Sequence, residues 1–237
     1  IAAVEEGVPI VSIGALTQSS LNVVIALEES GIKEAKDLAG KRVGYAGTVI
    51  SEEQIAAMLE YAGLDAADCE FVDIGFDLLT ALTTKQVDAT IGNMANHEVP
   101  QLEEERFGIS YFYPTDFGIP QVYEMVFLTR QDMVEENPEK LRAFLRACES
   151  GFRDMKENPE ESLEILLQNQ NAENFPLSRT VEEKSMDVIL PIMETADMPF
   201  LAQDILVWQE NADWLYERGI LKEAADVSGL VVDLTTE

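Results

Sequence analysis

Between Lys41 and Glu105 the chain alternates short β-rich runs with helical patterns, and this alternation constrains the fold more than any other feature. "KRVGYAG" (41–47) reads as a strand ending in glycine. A helix follows, with Ser51 predicted as its cap and Gln54 at the capping-box spacing. Ile55, Met58, Leu59 and Ala62 form its apolar face, and Gly63 closes it. "CEFVDIG" is then a strand, "FDLLTALTTKQ" a helix, "VDATIGN" a strand and "NHEVPQLEEER" a helix with Asn96 as its predicted cap. Strands and helices in this order predict an α/β fold, with parallel or mixed sheets covered by helices.

Upstream, Val8 to Leu16 and Ser20 to Leu27 read as two further strands, and "SGIKEAKDLAG" as a polar connection with a short helical turn. "ISYFYPTDFGIPQVYEMVFLTR" gives two extended segments around a bend, and everything after Gln131 reads as helical. Asn137-Pro138 and Asn158-Pro159 mark two helix starts, because proline fits the first helical position, where its missing N–H is not needed. Leu141, Phe144, Leu145, Cys148, Phe152 and Met155 form the apolar stripe of the first. Helices are also expected over Ser178 to Met193 and Gln203 to Arg218. The simplest assembly has two lobes, residues 32–115 as one and 1–31 with 116–237 as the other. Two crossings of the chain imply a hinge and an interlobe cleft, where small-molecule sites usually lie.

Composition narrows the partners. The 237 residues carry 45 Asp plus Glu against 16 Lys plus Arg, a formal charge of −29 that repels phosphate backbones and anionic lipid. Nucleic acid is therefore not an expected partner. The acids are spread along every helix, as in a solvated coat. Cys69 and Cys148 stand far apart, with no CxxC and no neighbouring histidine, so neither a zinc site nor a redox motif is expected, and two buried free thiols are. No apolar run approaches the roughly 18 residues of a membrane span. "IAAVEEG" reads as the last turn of a helix capped by Gly7, which implies an upstream segment.

Three stretches carry candidate chemistry. In "GYAGTVISEE" a strand passes through glycines into a helix N-terminus, whose backbone N–H groups bind polar ligands, so Gly47, Thr48 and Ser51 are candidates. Glu52 and Glu53 in the first turn would oppose an anion; equally, Gly44 and Gly47 serve a tight turn. The stretch lacks the third glycine of a dinucleotide fingerprint and the lysine of a P-loop, so neither cofactor is expected. The second stretch, "GNMANHEVPQ", holds the only histidine. His97 and Glu98 are adjacent, roughly 100 degrees apart on a helix, and the residues four away from His97 are the amides Asn93 and Gln101. No metal site and no catalytic pair is expected. Asn93, Asn96 and Glu98 instead read as a capping cluster, as a polar rim at a strand's carboxyl end, or as both. In the third, "DFGIPQVYEM", Asp116, Tyr123 or Glu124 could offer an aromatic face and a carboxylate acceptor to a flat, nitrogen-rich ring; the neighbouring tyrosines also fit ordinary strand packing.

"IKEAKDLAGKRVGYAGT", "VDATIGNMANHEVPQLEEE", "YPTDFGIPQVYEMVFLTR" and "ENPEKLRAFLRACESGFRDMKENPEESLEILL" together resemble the type II solute-binding proteins of bacterial ABC importers. "NHE" and "GIPQVYE" are similar to the branch that carries thiamine pyrimidine precursors and riboflavin, a branch that also resembles fungal thiamine-pyrimidine synthase. The resemblance spans nearly the whole chain and implies two α/β lobes closing on a ligand, with the N-terminal part of the family absent here. It places Glu98, Tyr123 and Glu124 near the heterocycle and the Gly47 to Ser51 loop in the cleft. It further implies a periplasmic or extracellular protein, free or lipid-anchored, that presents its closed form to permease subunits; a monomer without cofactor is expected. The fungal synthases share this fold but consume their own histidine and a bound pyridoxal phosphate beside an iron-binding cysteine cluster, which one histidine and two isolated cysteines make hard to stage. A regulator's sensing domain would need a helix-turn-helix, which the sequence does not show.

Overall fold

A computed structural model describes residues 1–173 and 176–235. Its strands are β1 (Ile10–Ala15), β2 (Asn22–Leu27), β3 (Arg42–Tyr45), β4 (Glu70–Asp73), β5 (Ala89–Met94), β6 (Ile109–Phe112) and β7 (Val126–Arg130). Its α-helices are α1 (Ala2–Glu5), α2 (Val49–Tyr61), α3 (Leu78–Thr83), α4 (Glu98–Glu104), α5 (Gln131–Glu136), α6 (Pro138–Glu157), α7 (Pro159–Asn169), α8 (Arg179–Met193) and α9 (Ile205–Glu217). They group into two compact units, residues 21–119 and residues 1–20 with 120–237.

The unit of residues 21–119 is built on a five-stranded mixed sheet in the order β4-β3-β5-β2-β6. β3 runs parallel to both β4 and β5, while β2 lies antiparallel between β5 and β6. Val23 to Leu27 is an unbroken buried run, the pattern of a strand covered on both faces, whereas β4 at the edge is only half-buried. α2 covers the sheet with Ile55, Met58 and Leu59, all fully buried; α3 adds Leu82 and α4 adds Leu102. The carboxyl ends of β3, β4 and β5 and the first residue of β2 share one edge, because Asn22 pairs with Met94.

The unit of residues 1–20 and 120–237 has a two-stranded antiparallel sheet, β1 with β7, on which the helices pack. Val231 and Leu201 each add an isolated bridge to β1. Val11 and Ile13 meet Leu141, Leu145 and Phe152 of α6, together with Met193, Phe200, Leu201 and Leu234, in one apolar core. The rings of Phe152 and Phe200 stack at 4.3 Å. Both proline-started helices begin where the sequence reading puts them, at Pro138 and Pro159. Among the described residues no helix is long and apolar enough to cross a membrane.

Five expectations are corrected. Residues 21–31 and 116–119 belong with the middle of the chain, because β2 pairs with β5 and β6 and not with β1. The chain after Gln131 is not helical throughout: residues 194–204 and 218–235 are turns, bridges and one 3-10 turn. Thr48, not Ser51, caps α2, and His97, not Asn96, precedes α4. Cys69 and Cys148 are free, but half-buried rather than buried.

Leu145, 1% exposed, sits at the middle of the α6 stripe. Leu145→Ala is expected to cost about 2 to 5 kcal/mol, read as a lower urea midpoint at unchanged slope. An unmoved midpoint contradicts the core described.

Candidate functional site

Most of the predicted residues fall into two polar clusters, each at strand ends within one unit. In the unit of residues 21–119 the cluster lies on the edge where β3, β4 and β5 finish. Gly47 turns there with φ +66, and a side chain on it would strike the Asp73 carboxylate at 2.9 Å, so glycine is required for the approach. Thr48 accepts the Ser51 N–H at 3.2 Å, and the two hydroxyls lie 2.8 Å apart. One turn along α2, Gln54 Oε1 accepts from Asn22 Nδ2 at 3.3 Å, and Asn22 Oδ1 accepts the Gly92 N–H at 3.1 Å. Asn22 thereby ties α2 to β5 at a β-bulge, where the β2–β5 register slips and Gly92 adopts φ +103.

Beyond the bulge, Asn93 is fully buried and donates to the carbonyl and hydroxyl of Thr90 at 3.1 and 2.9 Å. Its Oδ1 is buried with no partner among the described residues. Asn96 is nearly buried, and Glu98 Oε2 accepts the Met94 N–H at 2.8 Å, which fixes the turn from β5 into α4. His97 is exposed. Asp116 does not join this cluster: it is exposed on a 3-10 turn (Pro114–Phe117) whose Phe117 packs edge-on against Tyr61, the last residue of α2, whereas Thr48 caps the first turn.

Below the loop, Tyr45 donates its hydroxyl to Glu52. That bond to a carboxylate, with burial and the negative charges of Glu52 and Asp73 adding to it, pushes the Tyr45 phenol up to about 12. Only Glu52 falls in the first turn of α2, where Glu53 was also expected.

The other cluster gathers where β1 ends and β7 begins. Ser20 donates to Glu124 Oε2 at 2.7 Å. The Tyr123 hydroxyl accepts the backbone N–H of Asp204, the cap of α9, at 2.6 Å, and its ring lies 6.1 Å from that of Trp208. Burial raises the Tyr123 phenol above its ordinary value. Gln18 donates to the carbonyls of Pro199 and Ala202 at 3.4 and 3.2 Å, which fixes its amide and leaves Oε1 buried without a partner among the described residues. Sequence reading named Tyr123 and Glu124 but missed Gln18, Ser20, Asp204 and Trp208 here, and Asn22, Gln54 and Asp73 in the other cluster. One signal was present: Asn22 is the polar residue at the head of an otherwise apolar strand.

The class of protein follows from the fold. The structure superposes on the periplasmic aliphatic sulphonate binding protein of Escherichia coli with a TM-score of 0.74, at 19% identity, over 98% of this chain and 71% of that one. The fold is that of a periplasmic binding protein. Residues 1–162 match the NMT1/THI5 like family. The chain is 41% identical over 207 residues to the formylaminopyrimidine-binding protein of Halalkalibacterium halodurans, covering 87% of this chain and 63% of that relative. It is 29% identical over 188 residues to the 4-amino-5-hydroxymethyl-2-methylpyrimidine phosphate synthase of Legionella pneumophila, covering 78% and 59% respectively. This chain belongs to the NMT1/THI5-like family and spans less than two thirds of the length of these two relatives.

The Tyr45–Glu52 bond sets a pH dependence. Below pH 10 the phenol is protonated in folded and unfolded chain alike, and the bond's contribution is fully present. Between about 10 and about 12 only the folded form keeps the proton, so that contribution is lost as pH rises through about 12. In an ultraviolet titration of tyrosinate, Tyr45 is expected to ionise last of the six tyrosines, in a phase at about 12. Tyr45→Phe should remove that late phase, and Glu52→Gln should move it down. A phase at about 12 that survives Tyr45→Phe contradicts the assignment.

Proposed function

We propose that the chain is the solute-binding component of an ABC-type importer outside the cytoplasm, and that its ligand is a small uncharged nitrogen heterocycle of the thiamine-pyrimidine type. The observation that carries this reading is the set of carboxylates at the strand ends. Glu52, Asp73, Glu98 and Glu124 each accept from a hydroxyl or a backbone N–H. Such groups oppose a sulfonate or phosphate and suit an exocyclic amine, which donates to a carboxylate. Glu124 is the proposed acceptor and Tyr123 the aromatic neighbour. Thr48, Ser51, Asn93, Asn96 and Glu98, with the backbone at Gly47, supply the polar rim of the other cluster. The identity to a formylaminopyrimidine-binding protein supports the same ligand class.

Ligand capture is proposed to shift the chain toward the form that a permease accepts, which requires differential affinity for two states. Calorimetry with formylaminopyrimidine tests the reading, with an aliphatic sulfonate as control. The pyrimidine is expected to bind and the sulfonate not; the reverse overturns the proposal. Glu124→Gln keeps an acceptor for Ser20 but loses the charge, and is expected to weaken pyrimidine binding by about 1.5 to 3 kcal/mol. An unchanged affinity removes Glu124 from the site.

A second reading, an enzyme that makes the pyrimidine, is favoured by the identity to the Legionella synthase. Mass spectrometry of whatever the purified chain releases on denaturation separates the two. A free pyrimidine supports the carrier; pyridoxal phosphate together with iron supports the enzyme.

A further inference from the structure

Phe76 is 92% exposed, more than any other large hydrophobic residue among those described. A solitary exposed apolar side chain is ordinary on a protein surface. What sets this one apart is where it stands and how firmly its loop is held. Phe76 lies between β4 and α3, on the edge where β3, β4 and β5 end and the polar cluster gathers. Before it, the Ile74 N–H donates to the Tyr45 carbonyl at 3.0 Å and the Gly75 N–H to Asp73 Oδ1 at 3.0 Å. The Ile74 side chain fills the space that a Cβ on Gly44 would need, and the Asp73 carboxylate packs on Gly47. After it, Leu78 opens α3 within 3.5 Å of where a Cβ on Gly92 would lie, beside the Asn22–Gly92 bond. The loop is thus fixed at both ends to the strands that carry the cluster, and its aromatic ring faces solvent.

Resting on the reading that the ligand is a flat heterocycle, we infer that Phe76 is a stacking surface for that ring and so a specificity-determining residue. A planar π-deficient ring laid on Phe76 leaves its edge donors and acceptors free for the amides and carboxylates nearby. An aliphatic or sulfonate ligand gains little from such a face. The substitutions below leave the fold alone, because the side chain packs on almost nothing.

The test is calorimetry with formylaminopyrimidine on the full chain and on Phe76→Ala, Phe76→Leu and Phe76→Trp. Alanine and leucine are each expected to weaken binding about ten-fold, leucine because it keeps apolar area but has no π face, while tryptophan retains the affinity. In Phe76→Trp the introduced indole should also change its fluorescence when the ligand binds. Parent-like affinity in the alanine and leucine variants, with a silent indole in Phe76→Trp, overturns the inference. Absence of pyrimidine binding by the parent chain overturns the functional reading and this inference with it.

Discussion

The antiparallel insertion of β2 between β5 and β6 is the constraint on which the rest of the structure depends. A sheet made only of βα units would present carboxyl strand ends at one edge and chain entry at the other. β2 runs the opposite way, so the chain enters this sheet at the edge where β3, β4 and β5 finish. That brings Asn22 to Gly92 and Gln54, and it leaves Ser20, two residues earlier, at the end of β1 where Glu124 accepts its hydroxyl. Ser20 and Asn22, two residues apart in sequence, thus each serve a cluster within its own unit. Open α/β sheets bind ligands beyond the carboxyl ends of their strands because backbone groups and helix starts are exposed there. The orientation of β2 adds side chains to that set.

Charge decides what such an edge can accept. Anion sites at helix starts work through unpaired backbone N–H groups and a favourable dipole. Here Thr48 takes the Ser51 N–H, and the charge of Glu52, whose carboxylate accepts from the Tyr45 hydroxyl, stands in the first turn of α2 and opposes an anion. A net charge of −29 acts in the same direction over longer range. The fold is shared with sulfonate-binding proteins, and the carboxylates at this edge oppose an anion.

Local physics made much of this legible from sequence, and long-range pairing limited the rest. Proline at the first helical position announced α6 and α7, and the apolar stripe of α6 named Leu141, Leu145 and Phe152 as core. The unbroken run Val23 to Leu27 reads as a strand, but nothing in it states that its partners are β5 and β6, and for that reason the unit boundary was misplaced at residue 32. Cap positions shifted because Thr48 and Ser51 both offer a hydroxyl and only the backbone path chooses Thr48. Of the site, Glu98, Tyr123 and Glu124 carried a readable chemical type. Ser20, Asn22 and Asp204 did not, since their roles arise from hydrogen bonds to residues between 32 and 104 positions away. Asp116 shared the right chemistry but stands on a turn packed against the far end of α2.

The central proposal is that the chain binds an uncharged pyrimidine through residues at its strand ends. Two-dimensional amide NMR of the isotopically labelled chain, titrated with formylaminopyrimidine, addresses it most directly. The account requires saturable shifts at Ser20 to Asn22, Gly47 to Ser51, Gly92 to Glu98 and Tyr123 to Met125. Shifts confined to the helices α6 to α8, or none at saturating ligand, would contradict it.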